Sequence, residues 1–396
     1  MTTPIEPMPS TLSSFDDPGV EEFVATVRER LAAAIPEGWA EAKHLLEFHP
    51  RALEVRKEWD RNRTAAGFGA ISWPREYGGN GFSPVEQVLF NETWGELEAP
   101  QPFNLVGYFL AGRAISGWGT PEQKERFLPR ILSGEDLWCE GFSEPAAGSD
   151  MAGIQTRATK TANGWRIQGQ KIWTTYSPYA DRMYCLTRSS ETAPKRHNLS
   201  VFLLDMHNPG VEVQAIKDIN GLSEFGQVFI DAEVDEADML GAEGDGWKLS
   251  SLVGANRQKA AFGAMDAVST RAAEMGAWAR ALSHCFDAAK PGIRELRRAR
   301  YEEIMLRARA YRWQIRRGVS LALADRDPMP TMATLKLYST QLAQDLTELA
   351  VDLGCEEHAE YWRSRHIEFR KLTIAGGPSE IHRNIIANRV LGLGPR

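Results

Sequence analysis

The stretch "GTPEQKERFLPRILSGEDLWCEGFSEPAAGSD", residues 119–150, changes character in its middle. Its first half is punctuated as a helix: Thr120 can cap, Pro121 suits the first helical position, and Gln123 can complete a capping box. From Leu137 the chain turns into a strand-like run and then a loop of small residues. Gly141, Gly148 and the two alanines between them surround the hydroxyls of Ser143 and Ser149, while Pro145 fixes a turn. Small residues let backbone N–H groups approach an anion or a polar heterocycle. A plain strand-to-loop corner would have the same composition.

The chain divides around this stretch. From about Pro18 to Gly134 the pattern is mainly helical. "VEEFVATVRERLAAAI" places Phe23, Val27, Leu31 and Ala34 on one face, and "SPVEQVLFNETWGELEA" offers Ser83 as an N-cap before Pro84. From about Glu135 to Glu243, short β-branched and aromatic runs ("DRMYCLTRS", "NLSVFLLDM", "VEVQAI", "GQVFIDAEV") are separated by turn residues, a spacing that fits a small β-barrel or sandwich. "GWRIQGQKIWTTY" reads as a hairpin across a glycine-marked turn. From Gly246 long helices return. The organisation expected is therefore 1–135 helical, 136–245 β and 246–396 helical.

At 396 residues the chain can hold two or three domains with their own cores. A hydrophobic content of 43% with 25% charged residues is that of a soluble globular protein. The net charge of −7 argues against a nucleic-acid partner. Cys139, Cys185, Cys285 and Cys355 lie far apart without ligand spacing, so neither a disulfide framework nor a metal site is expected, and a reducing cytoplasm is the simplest home. The N-terminus lacks a signal-peptide pattern, and no apolar run approaches the ~18 residues of a membrane span.

Two further stretches carry chemistry. In "GQKIWTTYSPYAD", residues 169–181, Trp173 can offer a flat face to a conjugated ring, with Thr174 and Thr175 as hydrogen-bond donors; a core tryptophan is the competing reading. In "TIAGGPSEIHRNIIANRVLGLG", residues 373–394, the pair Gly376 and Gly377 permits positive φ and close approach to a ligand. Pro378 fits a first helical position, with Glu380 in the first turn.

In this order the motifs resemble those of the acyl-CoA dehydrogenase family of flavoproteins. "WPREYGGNGFSP" (73–84) is similar to its N-terminal glycine loop, residues 119–150 to its most recognisable signature, "NGWRIQGQKIWTTYSPYAD" to its second, and "GGPSEIHRNIIANRVLGL" to its C-terminal one. The resemblance spans roughly residues 20 to 394. It implies an α+β fold with an N-terminal helical domain, a middle β-barrel and a C-terminal four-helix bundle. It further implies FAD between barrel and bundle, an acyl-CoA substrate and an electron-transfer flavoprotein or similar acceptor. The assembly implied is a homo-oligomer, dimer or tetramer, or a heterotetramer with a homologue. By the same resemblance Phe142 and Ser143 contact the flavin pyrimidine edge, and Gly148 and Ser149 border the FAD phosphates or the acyl-CoA. Trp173 covers the isoalloxazine, with Thr174 beside it, and Thr175 bonds near N5. Gly354 belongs to a turn that packs on a partner's cofactor, and Glu380 stands near the cofactor.

The family's base, however, is missing. In many members it is a glutamate at the position of Gly376. A second subgroup, whose C-termini are similar to this one, places it on the first long helix of the bundle just before an arginine. Here that stretch reads "LSSLVGANRQKAAFG", and the residue before Arg257, itself on the substrate side, is Asn256. An asparagine amide cannot take a proton at neutral pH, while the Gly376 N–H can still polarise a thioester. Three readings follow: a dehydrogenase with another base (Glu98, Glu224 or Asp245), a subunit completed by a homologue in a heteromer acting on bulky steroid-derived thioesters, or a different reaction on a CoA thioester in which Asn256 orients. The subgroup resemblance favours a branched or polycyclic acyl group. The basic stretch from Lys290 to Arg317 reads as a solvated face or as a contact for CoA or FAD phosphates.

Overall fold

The computed structural model describes Met8 and residues 12–250, 257–356 and 358–394, with the backbone alone over 257–268. In chain order the first helices are α1 (Val20–Ala34), α2 (Trp39–Ala42), α3 (Pro50–Ala65), α4 (Pro84–Glu96), α5 (Gly112–Trp118) and α6 (Pro121–Ser133). The strands follow as β1 (Trp138–Gly141), β2 (Arg157–Thr161), β3 (Gly164–Thr175), β4 (Arg182–Arg188), β5 (Leu199–Asp205), β6 (Val211–Ile216), β7 (Phe225–Val234) and β8 (Met239–Leu240). Then come α7 (Gly246–Ser250), α8 (Arg257–Ala288), α9 (Pro291–Leu323), α10 (Met329–Asp352), α11 (Ala359–Glu368) and α12 (Ser379–Ile385). The helical, β, helical order expected from the sequence is the order found. The chain packs as two compact units: Met1–Met8 with Leu53–Gly81 and Gln101–Ala260, and Pro9–Ala52 with Phe82–Pro100 and Ala261–Arg396.

Two helix starts, those of α4 and α6, follow their side-chain caps. Ser83 accepts from the Glu86 N–H while the Glu86 carboxylate accepts from the Ser83 N–H, and Thr120 and Gln123 do the same for α6. Each reciprocal pair satisfies two donors that a helix otherwise leaves orphaned. On α1 the four residues expected on one face, Phe23, Val27, Leu31 and Ala34, are all buried.

In the first unit the strands form one sheet in the order β6-β7-β3-β2-β4-β5-β8. β1 pairs in parallel with the first half of β4, and β2 meets β4 at Arg188, so β1 and β2 lie end to end along it. The segment between them, 142–156, is thereby thrust out of the sheet. "GWRIQGQKIWTTY" is not itself a hairpin. It is the single strand β3, running straight through Gly169, and the hairpin turn lies before it at Ala162–Asn163. Gly169 serves close approach instead: a Cβ there would stand 2.5 Å from Thr156 Oγ1. One sheet face is covered by a core that includes Trp73, Tyr108, Phe127, Trp138 and Tyr184, and burial of each such side chain contributes roughly 1.5–3 kcal/mol.

In the second unit α9 packs along α10, and α4 packs on α1 and α9. The basic run of α9 is largely paired within the chain: Arg312 and Arg316 both grip Glu92, Arg307 meets Asp345 at 2.7 Å, and Arg300 meets Glu348. The cysteine expectation is overturned here. Cys285, at the end of α8, and Cys355, just past α10, form a disulfide across 70 residues, while Cys139 and Cys185 stay free and buried. No local spacing announces such a bond, because the fold and not the sequence brings the two thiols together. Among the described residues no cluster suits a metal ion, and no helix is long and apolar enough to cross a membrane.

Candidate functional site

The loop that leaves β1 is held from within. Glu144 is buried and its carboxylate takes three donors: Lys171 Nζ at 2.8 Å and the N–H groups of Gln155 and Thr156 at 2.5 and 2.9 Å. Lys171, wholly buried on β3, also donates to the Phe142 carbonyl at 3.3 Å. Burial works against the Glu144 charge, but the Lys171 ammonium and these hydrogen bonds outweigh it and hold the carboxyl below its ordinary range. A second tie joins loop to strand, as the Ile172 N–H donates to the Ser143 carbonyl at 2.9 Å. Phe142 and Ser143 are left half-buried beside β3, and Gly148 and Ser149 are exposed at the loop's outer end. A Cβ added at Gly148 would meet nothing among the described residues within 4 Å. Sequence reasoning missed Glu144 and Lys171 although each stands inside a quoted motif. Each motif carries further charges, so nothing local singled out this pair.

Two residues past Lys171 the ladder slips. Lys171 lies opposite Val228 and Thr174 opposite Gly226, so β3 carries one residue more than β7 across this interval. The extra residue makes a β-bulge, a device that re-aims a side chain. Trp173 adopts φ 58° there and is 58% exposed, its ring edge-on to Phe225 at 6.2 Å. Left-handed backbone costs an L-residue about 1–2 kcal/mol, and apolar exposure adds to that, so the arrangement points to a role other than packing. Of the two readings left open for Trp173, the core one does not hold. Thr175 is half-buried, whereas Thr174 faces inward with its hydroxyl buried and, among the described residues, unpartnered. Gly226 permits the tight approach of the following turn, since a Cβ would fall 2.2 Å from Ser177 Oγ.

In the second unit the C-terminal turn has the positive φ expected of its glycines, 66° at Gly376 and 90° at Gly377. Pro378 is the cap residue of α12 and not its first helical residue, because its ψ of 154° is extended. Lys336 Nζ donates to the carbonyls of Leu372 and Gly377 at 2.7 and 2.9 Å, and the His382 ring meets the Gly376 carbonyl at 3.1 Å. Burial, with the Arg271 charge adding to it, holds the Lys336 ammonium below its usual pKa. Among the described residues nothing stands within 4 Å of a Cβ built on Gly376. Glu380 is exposed and paired with Arg383 at 3.2 Å. Gly354, at φ 66°, likewise has no described residue within 4 Å of an added Cβ.

Asn256 and the side chain of Arg257 lie outside the described residues. Two of the three alternative carboxylates, Glu98 and Asp245, have structural employment. Glu98 pairs with Lys43 at 3.0 Å, Asp245 accepts from the Ala242 N–H and pairs with Lys248, and Glu224 is buried with its carbonyl accepting from the Tyr176 N–H.

Comparison with known proteins adds three domain matches: the acyl-CoA dehydrogenase N-terminal domain over residues 18–135, its middle domain over 139–232 and its C-terminal domain over 244–391. Acyl-CoA dehydrogenase IpdE1 of Mycobacterium tuberculosis (strain ATCC 25618 / H37Rv) is 35% identical over 391 residues, covering 94% of this chain and 98% of that protein. Among solved structures, the Tcur3481-Tcur3483 steroid ACAD superposes with a TM-score of 0.79 at 23% identity over 96% of this chain and 99% of that one. The ChsE4-ChsE5 complex from Mycobacterium tuberculosis gives 0.78 at 24% identity over the same shares.

Proposed function

The chain belongs to the acyl-CoA dehydrogenase family, and on that premise we propose that it is an FAD-dependent oxidoreductase acting at Cα–Cβ of a branched or polycyclic acyl-CoA thioester, working in the cytoplasm. The observation that carries this reading is Trp173, a large aromatic ring turned outward by a bulge directly beside the loop bearing Ser143. An exposed flat ring and an open glycine edge fit a flavin. Trp173 would cover its face, Phe142, Ser143 and Thr175 would hold its polar edge, and Gly148 and Ser149 would admit phosphate. FAD supplies the two-electron oxidising power of a Cα–Cβ desaturation. The protein's part is orientation and charge. The Gly376 N–H would donate to the thioester carbonyl, which acidifies the α-carbon and stabilises the enolate-like charge that develops as its proton leaves.

That proton needs an acceptor, and Asn256 is not one. The substitution favours a second reading, in which this chain is one subunit of a heteromer whose homologue carries the glutamate. Adding acyl-CoA to the purified flavoprotein without oxygen or an electron acceptor separates the two. Bleaching of the flavin marks a competent dehydrogenase, and flavin that stays oxidised until a homologue is co-expressed marks the heteromer. Asn256→Glu should raise the rate by a factor of the order that general bases supply, ~10²–10⁴. An unchanged rate in a folded, flavin-loaded variant would rule out Asn256 as the base position.

A further inference from the structure

Helix α9 carries two stripes of different character. One, including Ile304, Tyr311, Ile315 and Val319, is buried, and the helix packs along α10. The other runs from Glu295 to Arg317 in steps of three or four residues and is exposed at every step. Such steps keep side chains on one helix face. At its centre stand two large apolar side chains, Leu306 at 66% and Trp313 at 64% exposure. The Arg316 guanidinium stands over the Trp313 ring at 5.5 Å and still leaves most of that ring in solvent. A tryptophan held out on a rigid helix is the kind of side chain that anchors an interface.

The charges of this stripe are ordered. Glu295 and Glu302 precede Leu306, and Arg309 and Arg317 follow it. Arg300, Arg307, Arg312 and Arg316 of the same helix are answered by acidic residues of α4 and α10. Glu295, Glu302, Arg309 and Arg317, by contrast, make no ion pair among the described residues. About Leu306 the stripe is its own complement. Turned end for end, it sets Leu306 on Leu306, Ala299 against Trp313, Glu302 beside Arg309 and Glu295 beside Arg317, because the members of each pair lie at nearly equal distances on either side of Leu306. A small side chain then meets the large ring, and each acid meets a base. Parallel packing would set ring on ring and acid on acid. Size and charge therefore select an antiparallel pair about a two-fold axis through Leu306, in which every contact is made twice.

We propose that α9 is the contact helix of a homodimer and packs antiparallel on the α9 of a second copy of this chain. Phosphates of CoA or FAD, the other partner considered for this basic stretch, would answer the arginines. They would leave Leu306 and Trp313 uncovered and would meet Glu302 as a like charge. The pairing holds whatever reaction the chain performs on a thioester.

Sedimentation velocity of the flavin-loaded protein tests it. Wild type should run as a dimer or a multiple of one. Leu306→Asp, Glu302→Arg and Arg309→Glu, each with unchanged circular dichroism and flavin content, should weaken that association at least tenfold. An equal mixture of Glu302→Arg and Arg309→Glu should associate again to within threefold of wild type, since each chain then offers the charge that the other needs. The register has its own readout, because the cysteines of the chain are buried or paired. A short bis-maleimide should join Leu306→Cys to its own copy across the axis. It should not join Trp313→Cys, whose copies would stand ~21 Å apart along the pair. A monomeric wild type, an assembly that forms only with a homologous chain, or one that survives both Leu306→Asp and Arg309→Glu overturns the proposal. So does dissociation that the mixture fails to reverse, or cross-linking at Trp313→Cys in place of Leu306→Cys. Loss of FAD from Arg309→Glu with the assembly intact returns the arginines to the phosphate reading. If Leu306→Asp does not fold, the two charge variants and their mixture decide.

Discussion

The loop 142–156 of the sheet unit and the turn 375–379 of the helical unit each present one glycine, Gly148 and Gly376, to space left open by the described residues, and they hold their shape by opposite means. The loop is organised from inside, around a buried carboxylate that takes Lys171 and two backbone N–H groups. The turn has no interior. Its glycines take the left-handed conformation, and Lys336 and His382 steady its carbonyls from outside. The first arrangement stores its stability in side-chain electrostatics and the second in backbone conformation, so the two should break under different substitutions.

The largest expected effect is on the loop. Lys171→Met leaves Glu144 buried and unpaired, and breaking such a pair costs about 3–5 kcal/mol. Urea unfolding of the variant should show that loss, and the double variant Lys171→Met with Glu144→Leu should recover most of it. The pH dependence has a definite sign. Glu144 has its folded pKa below the ordinary 4.5, so its stabilisation is present above that value and is lost as pH falls through the lower folded one. Acid unfolding followed by circular dichroism should therefore begin at higher pH in the wild type than Glu144-independent unfolding would, and Glu144→Gln should flatten the dependence below pH 4.5. Lys336→Met, the counterpart in the turn, removes hydrogen bonds to half-exposed carbonyls and should cost only about 1–2 kcal/mol.

Next in size is the disulfide of the helical unit. Linking residues 70 apart removes freedom from the unfolded chain, an effect typically worth about 2–4 kcal/mol. Reductant should lower the urea midpoint of the wild type and leave the double variant Cys285→Ala, Cys355→Ala unmoved. A wild-type midpoint indifferent to reductant would mean that the bond does not form in solution, as a reducing cytoplasm would favour.

What the sequence made legible divides along the same line. Local signals were readable: the reciprocal caps at Ser83 and Thr120, the buried face of α1, the strand runs and the positive φ of Gly376. Each depends on neighbours within a few residues. Pairings across the chain were not. Glu144 and Lys171 are 27 residues apart, and Cys285 and Cys355 are 70 apart. The bulge at Trp173 was hidden for a related reason. Pattern reading assumes unbroken alternation, and β3 has one residue too many for its partner, which turns outward a ring that composition alone would assign to a core. It also exchanged the fates of neighbours, since the threonine beside the exposed Trp173 faces inward.

Two alanine substitutions make the finest cut between loop and turn. Gly376 has φ 66° and Gly148 has no left-handed backbone, yet among the described residues both would place a new methyl where nothing stands within 4 Å. In Gly376→Ala the cost is conformational, about 1–2 kcal/mol for a left-handed L-residue, and calorimetric melting should register it whether or not ligand is present. In Gly148→Ala there is no strain and no clash within the chain, so melting of the protein stripped of cofactor should stay within about 0.5 kcal/mol of wild type. On the proposed reading the methyl would instead stand where phosphate approaches the backbone, so FAD should bind at least tenfold more weakly to Gly148→Ala by fluorescence titration. A Gly148→Ala variant that melts and binds FAD as the wild type does would make that glycine incidental, and the approach to the phosphates would then have to run along Ser149 alone.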